Sequence, residues 1–162
     1  YESDTHEFKS KSEEILASIF EKYNLAYDYE PRLIAEVDYP NRKKGIDTKA
    51  RLIYPDFNLH DKGIIVEYVG KPDDKKYMEQ LEWKKKRYEE MGLKVVYIYP
   101  EDMWIKDKNG KYHLNENVEQ IIMEKIGDAD YTNKSASRLE DTLLATHKAD
   151  NYPYKTDFYS AA

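Results

Sequence analysis

The stretch Y-P-D-F-N-L-H-D-K-G-I-I-V-E-Y-V-G, residues 54–70, decides how this chain folds. It reads as two short strands joined by a turn. Asp56 opens the apolar run Phe57 to Leu59, His60 to Gly63 form the turn, and Ile64 to Val69 is the most strand-like segment of the chain. Side chains alternate along a strand, so Ile65, Glu67 and Val69 share a face. Glu67 is then an acid among aliphatic residues, a costly place for an ionised carboxylate unless it is paired or holds a cation. A hairpin brings Asp56 near Glu67, and neighbouring carboxylates repel unless a cation lies between them. Hard divalent cations prefer such oxygen ligands, which makes the hairpin a candidate metal site.

Downstream, Pro72 with Asp73 or Asp74 marks a helix start and Gly92 a stop. Tyr77, Leu81, Tyr88 and Met91 form the apolar stripe of that helix, with Met78 alongside. Lys84 falls inside the stripe, Lys85 at its edge, and Lys86 points away. A lysine on the core side is costly unless its ammonium meets an anion or its stem snorkels to water. Leu93 to Tyr99 is a nearly all-apolar strand, which places it centrally in a sheet and completes a β-α-β unit. Trp104 to Leu114 reads as a hairpin about Asn109-Gly110. Asn115 to Ile126 is an amphipathic helix with Val118, Ile121, Ile122, Met123 and Ile126 in the core.

Upstream, His6 to Tyr23 reads as a helix striped by Phe8, Ile15, Leu16, Ile19, Phe20 and Tyr23. Glu14 lies opposite this stripe. Glu13 lies at its border and is the better placed of the two to reach inward, although both also read as surface acids favoured by the helix dipole. Tyr27 to Val37 reads as one or two strands broken at Pro31, and Ala50 to Tyr54 as a strand leading into Asp56. Between them, Asp38 to Lys49 reads as a polar loop. Its Arg42, Lys43, Lys44 and Lys49 suit a phosphate backbone or plain solvation.

The length of 162 residues is enough for one well-packed domain. The domain expected is 1–127. Residues 128–162 form a polar C-terminal extension, helical over Ser135 to His147, that packs on the core or on a partner. With no Cys, neither a disulfide framework nor a thiolate zinc site is available. No apolar run approaches membrane-spanning length and no signal-peptide pattern opens the residues given, so a cytoplasmic protein with no membrane partner is expected. The formal net charge of −6 argues against coating nucleic acid by charge alone, but allows local phosphate contacts assisted by metal ions. Sixteen Tyr suit core edges, base stacking, or both.

Several of these segments fall into a familiar order. P-D-F (55–57), I-V-E-Y-V-G (65–70) and L-E-W-K (81–84) resemble the PD-(D/E)XK nuclease superfamily, most of all its branch attached to bacterial DNA helicases. S-K-S-E-E-I-L-A (10–17) resembles the first helix of that branch and matches Glu13 to its acid, and Tyr29-Glu30 resembles the Y-E that follows. The resemblance spans roughly residues 8–100. It departs from the superfamily at Val69, where the usual strand carries Lys. In the helicase-associated branch the following helix carries that lysine, and Lys84 matches it; otherwise Val69 marks a silent site.

The resemblance implies a restriction-endonuclease-like α/β fold, a mixed central sheet flanked by helices on an α-β-β-β-α-β core with a helical C-terminal extension. It implies a metal-dependent DNA endonuclease in which Asp56, Glu67 and the Tyr68 backbone carbonyl hold Mg²⁺ or Mn²⁺. Glu13 would contact a metal-bound water, and Lys84 would orient the attacking water or stabilise developing charge. Lys85, with Arg42, Lys43 and Lys44, would lie along the DNA, and a double-strand cutter would suit a homodimer. Two other classes fit the same residues. One is a silent nuclease-like module that binds DNA or protein. The other is a metal-independent interaction module whose acids pair with Lys84 and the 49–51 region.

Overall fold

The computed structural model describes residues 8–43 and 45–130. Helix α1 spans Lys11–Lys22, and its Ile15, Leu16, Ile19 and Phe20 are buried on one stripe. Ser10 caps it: the backbone there is extended and the hydroxyl accepts the Glu13 N–H. The helix therefore starts later than the periodicity from His6 suggests. Strands β1 (Asp28–Tyr29), β2 (Leu33–Asn41), β3 (Gly45–Ile53), β4 (Phe57–Leu59) and β5 (Ile64–Tyr68) follow. Then come α2 (Lys75–Glu90), β6 (Lys94–Ile98), the short α3 (Pro100–Met103) and the hairpin β7 (Trp104–Lys106) and β8 (Tyr112–Leu114). Residues 118–130 are helical (α4). Asp74 caps α2 by accepting the Tyr77 N–H, and Gly92, at φ +69, turns the chain out of it.

The main sheet has the order β1-β4-β5-β6, antiparallel except for the parallel pair β5–β6 joined through α2. The architecture is thus α/β with a mixed sheet flanked by helices. Alternation along β5 divides the core in two. Ile64 and Val66 join α1, α4, Phe57, Leu59, Val96 and Ile98 on one face. Ile65 lies on the other, with Tyr88 of α2 and Ala35, Val37 and Ile53 of the β2–β3 pair.

Two expectations are corrected. Residues 38–49 are not a loop. They continue β2 and β3 into an antiparallel ribbon of nine paired positions, Leu33↔Ile53 to Asn41↔Gly45. Ala35, Val37 and Ile53 cover only the base of the ribbon; seven of the nine β3 positions are exposed, and a ribbon that stands in solvent on both faces has the polar composition of a loop. This ribbon is a separate two-stranded sheet, so the strand before Asp56 does not belong to the main sheet. Nor is β6 central: it is an edge strand. Its apolar character comes from packing on both faces, and Lys125 Nζ donates to the Tyr97 carbonyl at 2.9 Å.

The β7–β8 hairpin turns at Gly110, φ +83, as Asn109-Gly110 suggests. In α4, Val118, Ile122 and Ile126 are buried, Met123 is partly buried against them, and Ile121 is half-buried. The helix runs past the expected boundary at 127, and Ala129 packs on the core. The Ser135 to His147 segment and the rest of the extension lie outside the described residues. Among the described residues no helix is long and apolar enough to cross a membrane.

Phe57 is fully buried, with the rings of Phe8, Phe20, Tyr27 and Tyr29 centred 6.4, 5.1, 5.6 and 5.3 Å away. Phe57→Ala should therefore cost about 3–5 kcal/mol in urea unfolding, whereas Ile34→Ala, on the exposed ribbon face, should change stability little. Similar losses for the two would contradict this description of the core.

Candidate functional site

The register of β4 and β5, Phe57↔Val66, sets Asp56 opposite Glu67. Two crossed hydrogen bonds lock the pair. The Asp56 N–H donates to Glu67 Oε1 at 3.0 Å, and the Tyr68 N–H donates to Asp56 Oδ2 at 2.7 Å. Glu67 is only 3% exposed. From α2, Lys84 Nζ reaches its Oε2 at 2.9 Å and Tyr88 OH donates to Oε1 at 3.1 Å. Lys84 and Tyr88 are four residues apart and share a helix face, which lets one helix deliver both donors. Lys84 Nζ also lies 3.5 Å from the Tyr54 carbonyl oxygen, and the pocket at its head, about 470 Å³, is lined by Arg51, Tyr54 and Trp83 as well.

Glu13, on α1, is 6% exposed and accepts from Tyr29 OH at 3.1 Å. Tyr29 OH in turn accepts the Lys9 N–H, and Lys9 Nζ pairs with Glu30 at 3.0 Å. Glu30 adopts the left-handed region, φ +47, unusual for a residue with a side chain, and its N–H donates to the Asp56 carbonyl.

The electrostatics are those of a crowded acid site. Burial, then the Glu67 charge, push the Asp56 carboxyl up to about 7, against the pull of the Tyr68 N–H. Burial also raises Glu13, opposed by the Tyr29 hydroxyl and assisted by Glu30 and Glu67. Burial raises the Tyr88 phenol, helped by the neighbouring Glu67 carboxylate.

Asp56, Glu67 and Lys84 therefore meet, and Glu13 stands near enough to feel the acids. Val69 is buried with its N–H on the Ile98 carbonyl, and the cation comes from the helix. The Tyr68 carbonyl accepts from Tyr77 OH at 3.1 Å and from the Gly70 N–H at 3.1 Å, so both its lone pairs are engaged. Arg42 and Lys43 sit in the exposed turn of the ribbon, roughly 26 Å of extended strand from its base. Lys44 lies outside the described residues. Lys85 is exposed, with its ammonium 5.8 Å from the centre of the Tyr97 ring. Arg42, Lys43 and Lys85 are not gathered around the acids. Lys49 and Arg51 engage Tyr39 and Trp83, not the acids.

The donor set suits a hard cation. It offers two carboxylates, no thiolate, and one Asp56 oxygen, Oδ1, that accepts no hydrogen bond from the described residues. Among the described residues no group of three or more His, Asp or Glu is arranged to enclose a metal. Both Glu67 oxygens are taken by protein donors, so Asp56 Oδ1 is the open oxygen of the pair, and any cation there would need water for most of its ligands. Tyr77, Tyr88 and Lys9 were missed as site residues. Tyr77 and Tyr88 lie on the same helical stripe as Lys84, and hydroxyls on an inward stripe were the available signal.

Fold and site together define an α/β chain with an acid pair, Glu67 buried and Asp56 half-buried, and a helix-borne lysine. No family model, curated protein or solved structure matches it.

Asp56 titrates at about 7 in the folded chain against 3.8 for an ordinary carboxyl. The folded state holds this proton more tightly, so the contribution to stability is full below 3.8 and is lost as pH rises to about 7. In EDTA, Asp56→Asn, which keeps an acceptor for the Tyr68 N–H, should gain Tm over wild type across that interval. Parallel pH curves for the two proteins would remove the charge conflict described above.

Proposed function

We propose that this protein is a metal-dependent nuclease that hydrolyses phosphodiester bonds in DNA. The reading rests on one observation: the Lys84 ammonium, from α2, lies 2.9 Å from Glu67, whose other oxygen accepts the Asp56 N–H. A half-buried and a buried acid with a lysine on the following helix are the arrangement implied by the resemblance to the helicase-associated PD-(D/E)XK branch. The mixed sheet with its parallel β5-α2-β6 unit is compatible with a restriction-endonuclease-like fold.

In hydrolysis a water oxygen bonds to phosphorus, the P–O ester bond breaks, and the departing oxygen takes a proton. A Mg²⁺ or Mn²⁺ ion held by Asp56 and Glu67 would supply charge neutralisation on the phosphate and acidify water. Lys84 offers a fixed positive charge to the phosphoryl oxygens or to the attacking water. Glu67 and Tyr54 hold that ammonium in place. Glu13, buried and raised, is placed to hold or pass a proton beside the acids.

One observation favours a silent, nuclease-like binding module instead. Glu67 and the Tyr68 carbonyl are already satisfied by protein donors. The two readings separate in one assay on supercoiled, linear and single-stranded DNA with Mg²⁺, Mn²⁺ or EDTA. The nuclease reading expects cleavage with either metal and none in EDTA. It expects Glu67→Gln to abolish cleavage and Lys84→Met to slow it by about 100–1,000-fold, with folding checked by circular dichroism. Cleavage that persists in EDTA, or in Glu67→Gln, overturns it. DNA binding with no cleavage and no Mg²⁺ heat in calorimetry supports the silent module.

A further inference from the structure

Among the described residues the β2–β3 ribbon pairs with no other strand, so each of its two strands has a free edge. A free edge offers unpaired N–H and C=O groups to any strand of matching register. The two edges differ in sequence. β2 contains Pro40, which has no N–H, and its only charges are Glu36 and Asp38. Paired with a copy of itself about residue 36, 37 or 38, β2 sets acid against acid. β3 contains no Pro and carries charges of both signs, Asp47, Lys49 and Arg51. Its apolar Ile46 and Leu52 are 63% and 52% exposed. We propose that β3 is the interface of a two-fold dimer, in which two copies of this chain join edge to edge and their ribbons form one four-stranded antiparallel sheet.

The sequence of β3 is complementary to itself. A two-fold axis normal to the ribbon keeps each side chain on its own face, which restricts the pairing to a few registers. Centred on Lys49, the pairing sets Ile46 opposite the partner's Leu52 and Asp47 opposite the partner's Arg51. Symmetry repeats each pair, so two apolar contacts and two ion pairs form at once. Asp47 makes no ion pair among the described residues. Arg51 commits one guanidinium nitrogen to Tyr39 OH at 2.9 Å, which leaves N–H donors for a carboxylate. Lys49 meets its own copy at the axis, but its ammonium lies over the Tyr39 ring, 5.6 Å from the ring centre, drawn toward β2 and away from the free edge. Centring on Ala50 instead would set Lys49 against the partner's Arg51 twice. Centring on Thr48 would leave Leu52 and Ile53 beyond the paired strand.

The geometry leaves room for the second strand. The base of β3 borders an open depression of about 470 Å³, lined by Arg51, Leu52 and Ile53. The Lys49-centred register sets Gly45 opposite the partner's Ile53. The ribbon turn, with Arg42 and Lys43, then ends beside the partner's Tyr54, at the mouth of the pocket that holds the partner's Lys84. Cations that stand far from the acids of their own chain are thereby delivered next to those of the other. The inference concerns association and does not rest on the nuclease reading.

The test is sedimentation equilibrium of the full chain at micromolar concentration, with folding checked by circular dichroism. Wild type should sediment as a dimer of the 19.3 kDa chain. Asp47→Arg and Arg51→Asp should each weaken association by about tenfold, and the two together should restore it. The chain has no Cys, so one introduced thiol reports the register. Opposed residues of antiparallel strands have Cα atoms roughly 4.5–5.5 Å apart, within the span of a disulfide. Lys49→Cys should therefore link two copies on mild oxidation, and Glu36→Cys, on β2, should not. A wild-type chain that stays monomeric overturns the proposal. So does a dimer indifferent to both charge reversals, a double variant that fails to recover, or Thr48→Cys linking faster than Lys49→Cys.

Discussion

A single buried carboxyl, that of Glu67, sets the terms for the rest of the structure. It stands on the inner face of β5 where Ile65 and Tyr88 belong to the core, and it is almost wholly shielded from water. Removing a carboxylate from water costs several kcal/mol even after relaxation. Three donors offset that cost: the Asp56 backbone, the Tyr88 hydroxyl and the Lys84 ammonium. Each requires a different part of the fold to be in place. The Asp56 N–H requires the β4–β5 register. The other two require α2 to cross the sheet with positions 84 and 88 facing down. A one-residue slip in β5 would turn Glu67 toward α1 and leave it unpaired among Phe57 and Leu16.

Asp56 bears the other half of this arrangement. Glu67 takes the hydrogen bonds, while Asp56 receives a single backbone N–H and faces its neighbour's charge. The two acids are chemically alike and differently treated: one is a structural anion, the other is held near its titration point. That asymmetry is what a site needs if one acid anchors geometry and the other responds to an incoming positive charge.

Most of this was legible from residues 54–70 and the helix that follows. The apolar alternation of β5, the turn at His60 to Gly63 and the stripe of α2 are local signals, and they put Asp56, Glu67 and Lys84 together. Glu13 was legible only as a border position, because reaching inward depends on how α1 lies on Tyr29. The β2–β3 ribbon was not legible. Strand pairing is a relation between segments, and a ribbon that stands largely in solvent looks locally like a charged loop. The place of β6 was misread for a related reason. Hydrophobicity reports how many faces are covered, whereas centrality depends on hydrogen bonding along the edges, which leaves no mark on side-chain type. Lys125, which covers that edge, comes from α4, 28 positions along the chain.

The charge distribution around the acids follows from the same topology. The parallel pair β5–β6 ends beside the acids, so the chain leaving β5 at Tyr68 and the chain leaving β6 at Pro100 both build walls there. Those walls are aromatic and acidic. On the opposite side, the base of the ribbon and α2 bring Arg51, Trp83 and Lys84. The net charge of −6 sharpens this division. It leaves little long-range attraction for any phosphate backbone, so local contacts such as the ammonium of Lys84 would have to carry such binding.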